Sequence, residues 1–423
     1  MPGFVMKATA AFSFFCLAGL PNAWAQQSPA PPPGAPAPPA AEAPAAAPTS
    51  NAMANPSMTG PLVANPNPAK FDAGPLGPVY VTGVVSGLAL GTANPNPAVP
   101  FLIGADHSGH IDISNGQAIV QTTSGPLQFY AQAGVYSLPT LGVTYIQADS
   151  ANHDFFGPLP VGYVKWQPTD EFSLQGGKLP TLIGAEYTFT FQNMNIQRGL
   201  LWNMEPAISR GVQANYTWGP LAFAASFNDG YYSDRFNWLD GSVTWTIDKV
   251  NSLVFAGGGN LGSSSTGVSP PVFTTNPALN NGSIFNVIYT YNDAPWTITP
   301  YFQYTSVDAK PAFGWIKSTQ SYGGAILANY AINDNINLAG RFEVVGSSGS
   351  ATDGSANVVG FGSGSGAFSF TVTPTYQAGI FFLRGEASVV SAFSTNSAVA
   401  PVFGHTGTKR DQERVLIEGG FVF

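Results

Sequence analysis

The chain has a single cysteine, Cys16, so neither a disulfide framework nor a cysteine metal site can be built from it. Charge is also scarce. Asp, Glu, Lys and Arg make up 9% of the 423 residues, against about 25% in an ordinary soluble domain. Four histidines, His107, His110, His153 and His405, are available for chemistry, and all fall on predicted loops. No Ser-His or Asp-His pair with a catalytic spacing can be assembled from them, so the chain is not expected to be an enzyme. His107-Ser108-Gly109-His110 lacks further spaced ligands for a metal. Gly257 to Gly262 matches the dinucleotide pattern formally, but Ser263-Ser264-Ser265 and Pro270-Pro271 stand where a helix is required. No cofactor is expected. Beyond the N-terminus there is no run of 18 apolar residues, which excludes a spanning helix in the remainder.

What is present is glycine (48 residues), aromatics (13%) and an ordinary 44% of hydrophobic residues. Small residues suit a curved sheet, and rings suit the two interfaces of a membrane. Lys7, an apolar run from Ala8 to Leu20 and Ala23-Trp24-Ala25 make a cleavable export signal, residues 1–25. Removing Lys7 takes the formal charge from −8 to −9, which argues against a nucleic-acid partner. Residues 26–75 are rich in Pro, Ala, Asn and Ser, as in Pro29-Ala30-Pro31-Pro32-Pro33, and are expected to form a disordered leader. Residues 76–423 differ in pattern from both and are expected to fold as one β-barrel.

From Val79 the chain becomes sixteen alternating segments separated by turn residues. Val243, Trp245 and Ile247 alternate with Ser242, Thr244 and Thr246; Leu338, Phe342 and Val344 oppose Asn337, Arg341 and Glu343. In the last segment Val415, Ile417, Phe421 and the terminal Phe423 share a face opposite Arg414 and Glu418. One face suits lipid and the other water, and a soluble sheet would carry many more charges on its wet face. Short and long links alternate, as periplasmic turns and extracellular loops do. The expected fold is all-β: a transmembrane antiparallel barrel of about sixteen strands in the bacterial outer membrane, with lipid around it.

The run Gly177-Lys178-Leu179-Pro180-Thr181-Leu182-Ile183-Gly184-Ala185-Glu186, followed by Asn193-Met194-Asn195-Ile196-Gln197-Arg198-Gly199-Leu200-Leu201, resembles a family of proteobacterial outer-membrane proteins, the OmpL-like β-barrel porins. Gly211 to Tyr216 and Phe227-Asn228-Asp229-Gly230-Tyr231 continue the likeness. The chain departs from it at Ile196-Gln197 and at Ser209-Arg210. The resemblance implies a passive channel for small hydrophilic solutes or ions. The motif occupies the third long link, which in sixteen-stranded general porins folds into the lumen. Glu186, Arg198 and Glu205 then become candidate constriction residues, unless the link is a lid with its charges solvated. Strand parity sends Lys165, Arg341, Glu343, Arg384, Glu386 and Glu418 inward, either as lumen lining or, for the two-residue repeats, as mutually satisfied ladders. Lys178 falls on the lipid face by parity unless Gly176-Gly177 forms a bulge. A barrel plugged by its own loops is the alternative to a channel, with an outer-membrane hydrolase a distant third. Porins of this size are often homotrimers.

Overall fold

The computed structural model describes residues 60–97, 107–264 and 277–423. The signal segment 1–25 and the leader up to residue 59 lie outside the described residues. Seventeen strands form a single antiparallel sheet among the described residues. They are β1 (Ala69–Asp72), β2 (Pro78–Ala93), β3 (Gly109–Thr122), β4 (Leu127–Tyr136), β5 (Val161–Trp166), β6 (Phe172–Pro180), β7 (Ile208–Trp218), β8 (Leu221–Asn228) and β9 (Trp238–Thr246). Then come β10 (Asn251–Asn260), β11 (Ser283–Asp293), β12 (Trp296–Val307), β13 (Thr319–Asn333), β14 (Ile336–Ser347), β15 (Gly366–Ala378), β16 (Phe381–Phe393) and β17 (Asp411–Val422).

Each strand from β2 onward pairs with the next, and β17 returns to β2, from Glu413 opposite Ala93 to Val422 opposite Val84. The sheet therefore closes into a sixteen-stranded barrel and leaves no long unpaired edge, the condition for carrying strands through lipid. Alternation along β17 shows how sequence sets the two faces: Val415, Ile417 and Phe421 are exposed, while Arg414, Leu416 and Glu418 are buried. The sixteen alternating segments of the sequence correspond one to one with β2–β17. Short links such as 219–220, 294–295 and 334–335 alternate with long ones such as 137–160, 181–207 and 348–365.

Lys178 keeps its place on the outer face, because pairing with β5 runs without a bulge, from Lys165 opposite Gln175 to Gly162 opposite Lys178. Its ammonium is satisfied at the rim instead, donating to the carbonyls of Phe156 and Leu159, each at 3.0 Å.

The described part of the expected disordered leader, residues 60–75, is built into the barrel. The terminal Phe423 exchanges backbone hydrogen bonds with Gly83 (2.7 and 2.9 Å), and there the last strand stops. Below that point the edge of β2 would be bare. Strand β1 covers it, pairing Ala69 with Val81 through to Asp72 with Pro78. Further upstream, Leu62 is buried among Val84, Ile119, Tyr130, Phe382 and Val422 of the wall and Phe189 and Phe191 of link 181–207.

Candidate functional site

The link 181–207 departs from β6 and enters the barrel, where it is held by side chains of β14 to β17. Its backbone supplies most of the attachment points. Glu386 accepts from the amides of Ile196 (2.5 Å) and Gln197 (3.1 Å), from Gln197 Nε2 (2.9 Å) and from Thr373 Oγ1 (2.8 Å). Glu343 accepts from the amides of Leu200 (2.9 Å) and Leu201 (3.2 Å) and from Ser369 Oγ (2.8 Å). Arg384 donates to the carbonyls of Thr190 (3.0 Å), Asn193 (2.9 Å) and Met194 (2.8 Å) and lies 3.5 Å from Glu418. Glu418 in turn accepts from Thr190 Oγ1 at 2.6 Å. The spacing of two residues along β14 and β16 places Arg and Glu on the same inward face one pleat apart, so a single strand offers a donor and an acceptor to one loop.

Glu186 of the link pairs with Arg341, which also donates to the carbonyl of Gln197 (2.8 Å) and approaches Glu343 at 3.2 Å. Glu186 accepts as well from the amide of Gly199 at 2.8 Å. The packing is close there: a Cβ on residue 199 would stand 2.2 Å from Glu343 Oε1, so any larger residue would displace that carboxylate. Arg198 donates to the carbonyl of Thr188 and stacks over the ring of Trp202 at 4.9 Å, while its backbone bridges to link 137–160 through Pro139 and Leu141. Four guanidinium groups, those of Arg198, Arg341, Arg384 and Arg414, thus stand among four partnered carboxylates, those of Glu186, Glu343, Glu386 and Glu418. Buried charge survives here because nearly every member is paired or hydrogen-bonded.

Glu205 differs. Both its carboxyl oxygens are buried without a hydrogen-bond partner, and Oε2 is packed where a Cβ on Gly184 would lie 1.8 Å away. Burial, then the neighbouring charges of Glu186 and Glu343, raise its pKa well above the usual carboxylate range. A neutral acid costs far less to bury than its anion.

Glu186, Arg198 and Glu205 are therefore within the lumen and face protein, with exposures of 1%, 0% and 5%. The loop's own backbone and the wall take up the charges of Glu186 and Arg198, whereas Glu205 is buried unpaired. Arg341, Glu343, Arg384, Glu386 and Glu418 point inward and are buried beneath the loop they hold. The ladder geometry also occurs, as the contact between Arg341 and Glu343. Lys165 stands apart from this cluster. It lines a cavity of about 860 Å³ under the loop, against the wall from β5 to β13. The other wall residues of this cavity are mainly uncharged and polar: Ser173, Gln175, Gln213, Asn215, Thr217, Ser242, Thr244, Thr290 and Thr299. Its ceiling includes Thr181, Gly184, Ala185, Tyr187 and Met194 of the link, and Asp170 and Glu171 belong to the short link 167–171 at its periplasmic end.

Sequence reasoning omits one member of the cluster. Arg414 donates to the carbonyls of Thr140 (2.7 Å) and Val143 (2.6 Å) and to Gln197 Oε1 (3.2 Å), tying link 137–160 to the same wall. Its parity with Glu418 was the available signal. Leu200, Leu201 and Met204 of the link pack with Leu141, Phe361 and Phe403 and with Ala256, Ile284, Ala325 and Val345 of the wall in one apolar cluster.

A closed antiparallel barrel with an apolar outer face, a polar inner wall and a long link folded into its lumen defines an outer-membrane β-barrel of the porin type. Residues 78–423 match the family model described as "Putative beta-barrel porin-2, OmpL-like", and the chain belongs to that family. It is located in the bacterial outer membrane. Among solved structures it is similar to OmpT of Vibrio cholerae, an outer membrane protein, at 14% identity and a TM-score of 0.52, with 84% of this chain and 100% of that one covered. It is also similar to the outer membrane channel DcaP of Acinetobacter baumannii (11% identity, 82% and 97% covered, TM-score 0.52). Salmonella typhi OmpF gives 9% identity, 82% and 98% coverage and a TM-score of 0.51. At these identities the likeness is one of fold alone. A comparison with curated proteins finds no match.

Proposed function

We propose that the protein is a passive, non-enzymatic diffusion channel for small hydrophilic solutes, with link 181–207 as its constricting element. The observation that carries this reading is the polar cavity beneath the loop. Hydroxyl and amide side chains on β6 to β12 can replace a solute's hydration shell without trapping it, whereas an apolar wall could not. Charge is segregated: the side chains of β14 to β17 hold the loop, and the cavity keeps Lys165 on its wall with Asp170 and Glu171 at its periplasmic end. A path on that side would exert only a weak field, and its ionic selectivity would be low. Glu186, Arg198 and Glu205 would then shape the constriction by fixing the loop's course, not by touching solute.

A second reading, a barrel plugged by its loops, is favoured by the apolar cluster around Leu201, Met204, Phe361 and Phe403. Single-channel recording of the purified protein in a planar bilayer separates the two. Stepwise, ohmic conductance is the expected result. Silence from barrels shown to be folded and inserted would overturn the channel and leave the plug.

A further inference from the structure

Gly60 lies inside the barrel. It lines the cavity beneath link 181–207, and it lies so close to the link that a Cβ on it would meet the carbonyl oxygen of Asn193 at 2.3 Å. From there the chain descends along the wall. Val63 forms a two-point clasp with Gln377 of β15, its amide donating to Oε1 (2.8 Å) and its carbonyl accepting from Nε2 (2.9 Å). Leu62 is 2% exposed, and β1 fastens the exit to the edge of β2. Seating of this kind is specific: a side-chain amide reads one backbone unit, and an apolar side chain fills a matching pocket.

Residues 48–59, Pro-Thr-Ser-Asn-Ala-Met-Ala-Asn-Pro-Ser-Met-Thr, directly precede Gly60 in the sequence. They carry no charged side chain, and the cavity wall beside Gly60 is chiefly uncharged Ser, Thr, Asn and Gln. An extended chain advances about 3.1 Å per residue, so twelve residues reach about 37 Å, more than the roughly 25 Å height of an outer-membrane apolar band. The segment is long enough to traverse the cavity and leave at the periplasmic mouth.

We propose that this cavity is the docking surface of the protein's own N-terminal segment, residues 48–59, with Gly60 to Val63 as the anchored end. Its occupant is an extended, uncharged peptide, and a hydrophilic solute entering from the periplasm shares the space with it. Occupancy of the cavity by this segment does not depend on whether the barrel conducts.

The test uses the full mature chain, which needs only one added thiol because the sole cysteine, Cys16, precedes the expected cleavage point. Asn215→Cys places a thiol on the cavity wall, and its rate of modification by a charged, membrane-impermeant thiol reagent is measured on folded barrels. A segment docked for about nine-tenths of the time slows the reaction about ten-fold. Deleting 48–59, with 60–76 retained, should remove that protection, and the synthetic peptide of the same twelve residues should restore it in trans. Scrambling the twelve residues should weaken the protection if specific packing holds the segment. Equal rates with and without 48–59, in barrels of unchanged heat-modifiable mobility, would overturn the proposal. Conductance recorded on the same two proteins reports on the channel reading separately.

Discussion

Replacing Glu386 with alanine should release link 181–207 from the wall, and the size of the effect can be worked from the contacts. Four donors lose their acceptor. Two of them are on side chains that can adjust: the Thr373 hydroxyl can rotate its proton while still accepting from Asn195 Nδ2 (2.7 Å), and Gln197 Nε2 keeps its bond to Ser388 Oγ (2.9 Å). The amides of Ile196 and Gln197 have no such recourse. An orphaned buried donor costs about 1 to 3 kcal/mol, and breaking a buried charged network by removing one member costs about 3 to 5 kcal/mol. A loss of about 3 to 4 kcal/mol local to the loop raises the open population roughly 10²- to 10³-fold, at about 1.4 kcal/mol per factor of ten. Amide hydrogen exchange on the detergent-folded barrel reads this directly. Ile196 and Gln197 should exchange two to three orders of magnitude faster than in the wild type. If the loop opens as a unit, Leu200 and Leu201, bound to Glu343, should open with them. Glu386→Gln, which keeps one acceptor oxygen, should fall between. Wild-type protection at Ile196 and Gln197 in Glu386→Ala would refute the assignment of this carboxylate as a fastening.

Glu205 predicts an inverse pH dependence. Its folded pKa lies above the unfolded value near 4.5, so the folded state holds the extra proton and its contribution is complete below that value. As pH rises from there toward the folded pKa the stabilisation is lost, so Glu205→Gln should raise thermal stability near neutral pH and flatten the melting profile above pH 4.5; a steeper profile in the variant would count against a neutral Glu205. Deleting Phe423 removes the two backbone bonds to Gly83, at about 0.5 to 1.5 kcal/mol each. The expected result is a lower yield of heat-modifiable barrel with a nearly unchanged melting point in the fraction that folds, and normal yield would argue against a role for the terminal aromatic in assembly.

The barrel wall was legible because lipid and water impose a period of two on every strand, and turns and loops differ in length for a reason tied to the membrane. Ser242 to Ile247 and Asn337 to Val344 announce both faces without any tertiary information. The inward direction of Arg341, Glu343, Arg384, Glu386 and Glu418 followed from the same parity. Their task did not. The partners of Glu386 and Glu343 are backbone amides of residues 196, 197, 200 and 201, and a backbone amide carries no signature in the sequence. For the same reason Glu186, Arg198 and Glu205 read as a charged constriction, although Arg341 and the loop's own backbone take up the capacity of the first two and Glu205 is buried without a partner. Residues 60–63 escaped notice because a single Leu62 in a Pro- and Asn-rich stretch gives no periodic signal, and its pocket exists only once Tyr130, Phe189 and Phe382 have come together.

The separations in sequence between the loop and its fastenings set an order of events. Gln197 and Glu386 are 189 residues apart, and Leu200 and Glu343 are 143 apart, so these contacts are strongly non-local. Contacts of that kind form late, since the entropy of closing the intervening chain must be met first. Until β14 to β17 are in place, link 181–207 lacks its charged fastenings, and the inward arginines and glutamates of those strands lack most of their loop partners. Seating of the loop is thus a consequence of completing the wall, and a barrel stalled before its last quarter would show an unseated, protease-sensitive segment between β6 and β7 while its first strands were already paired.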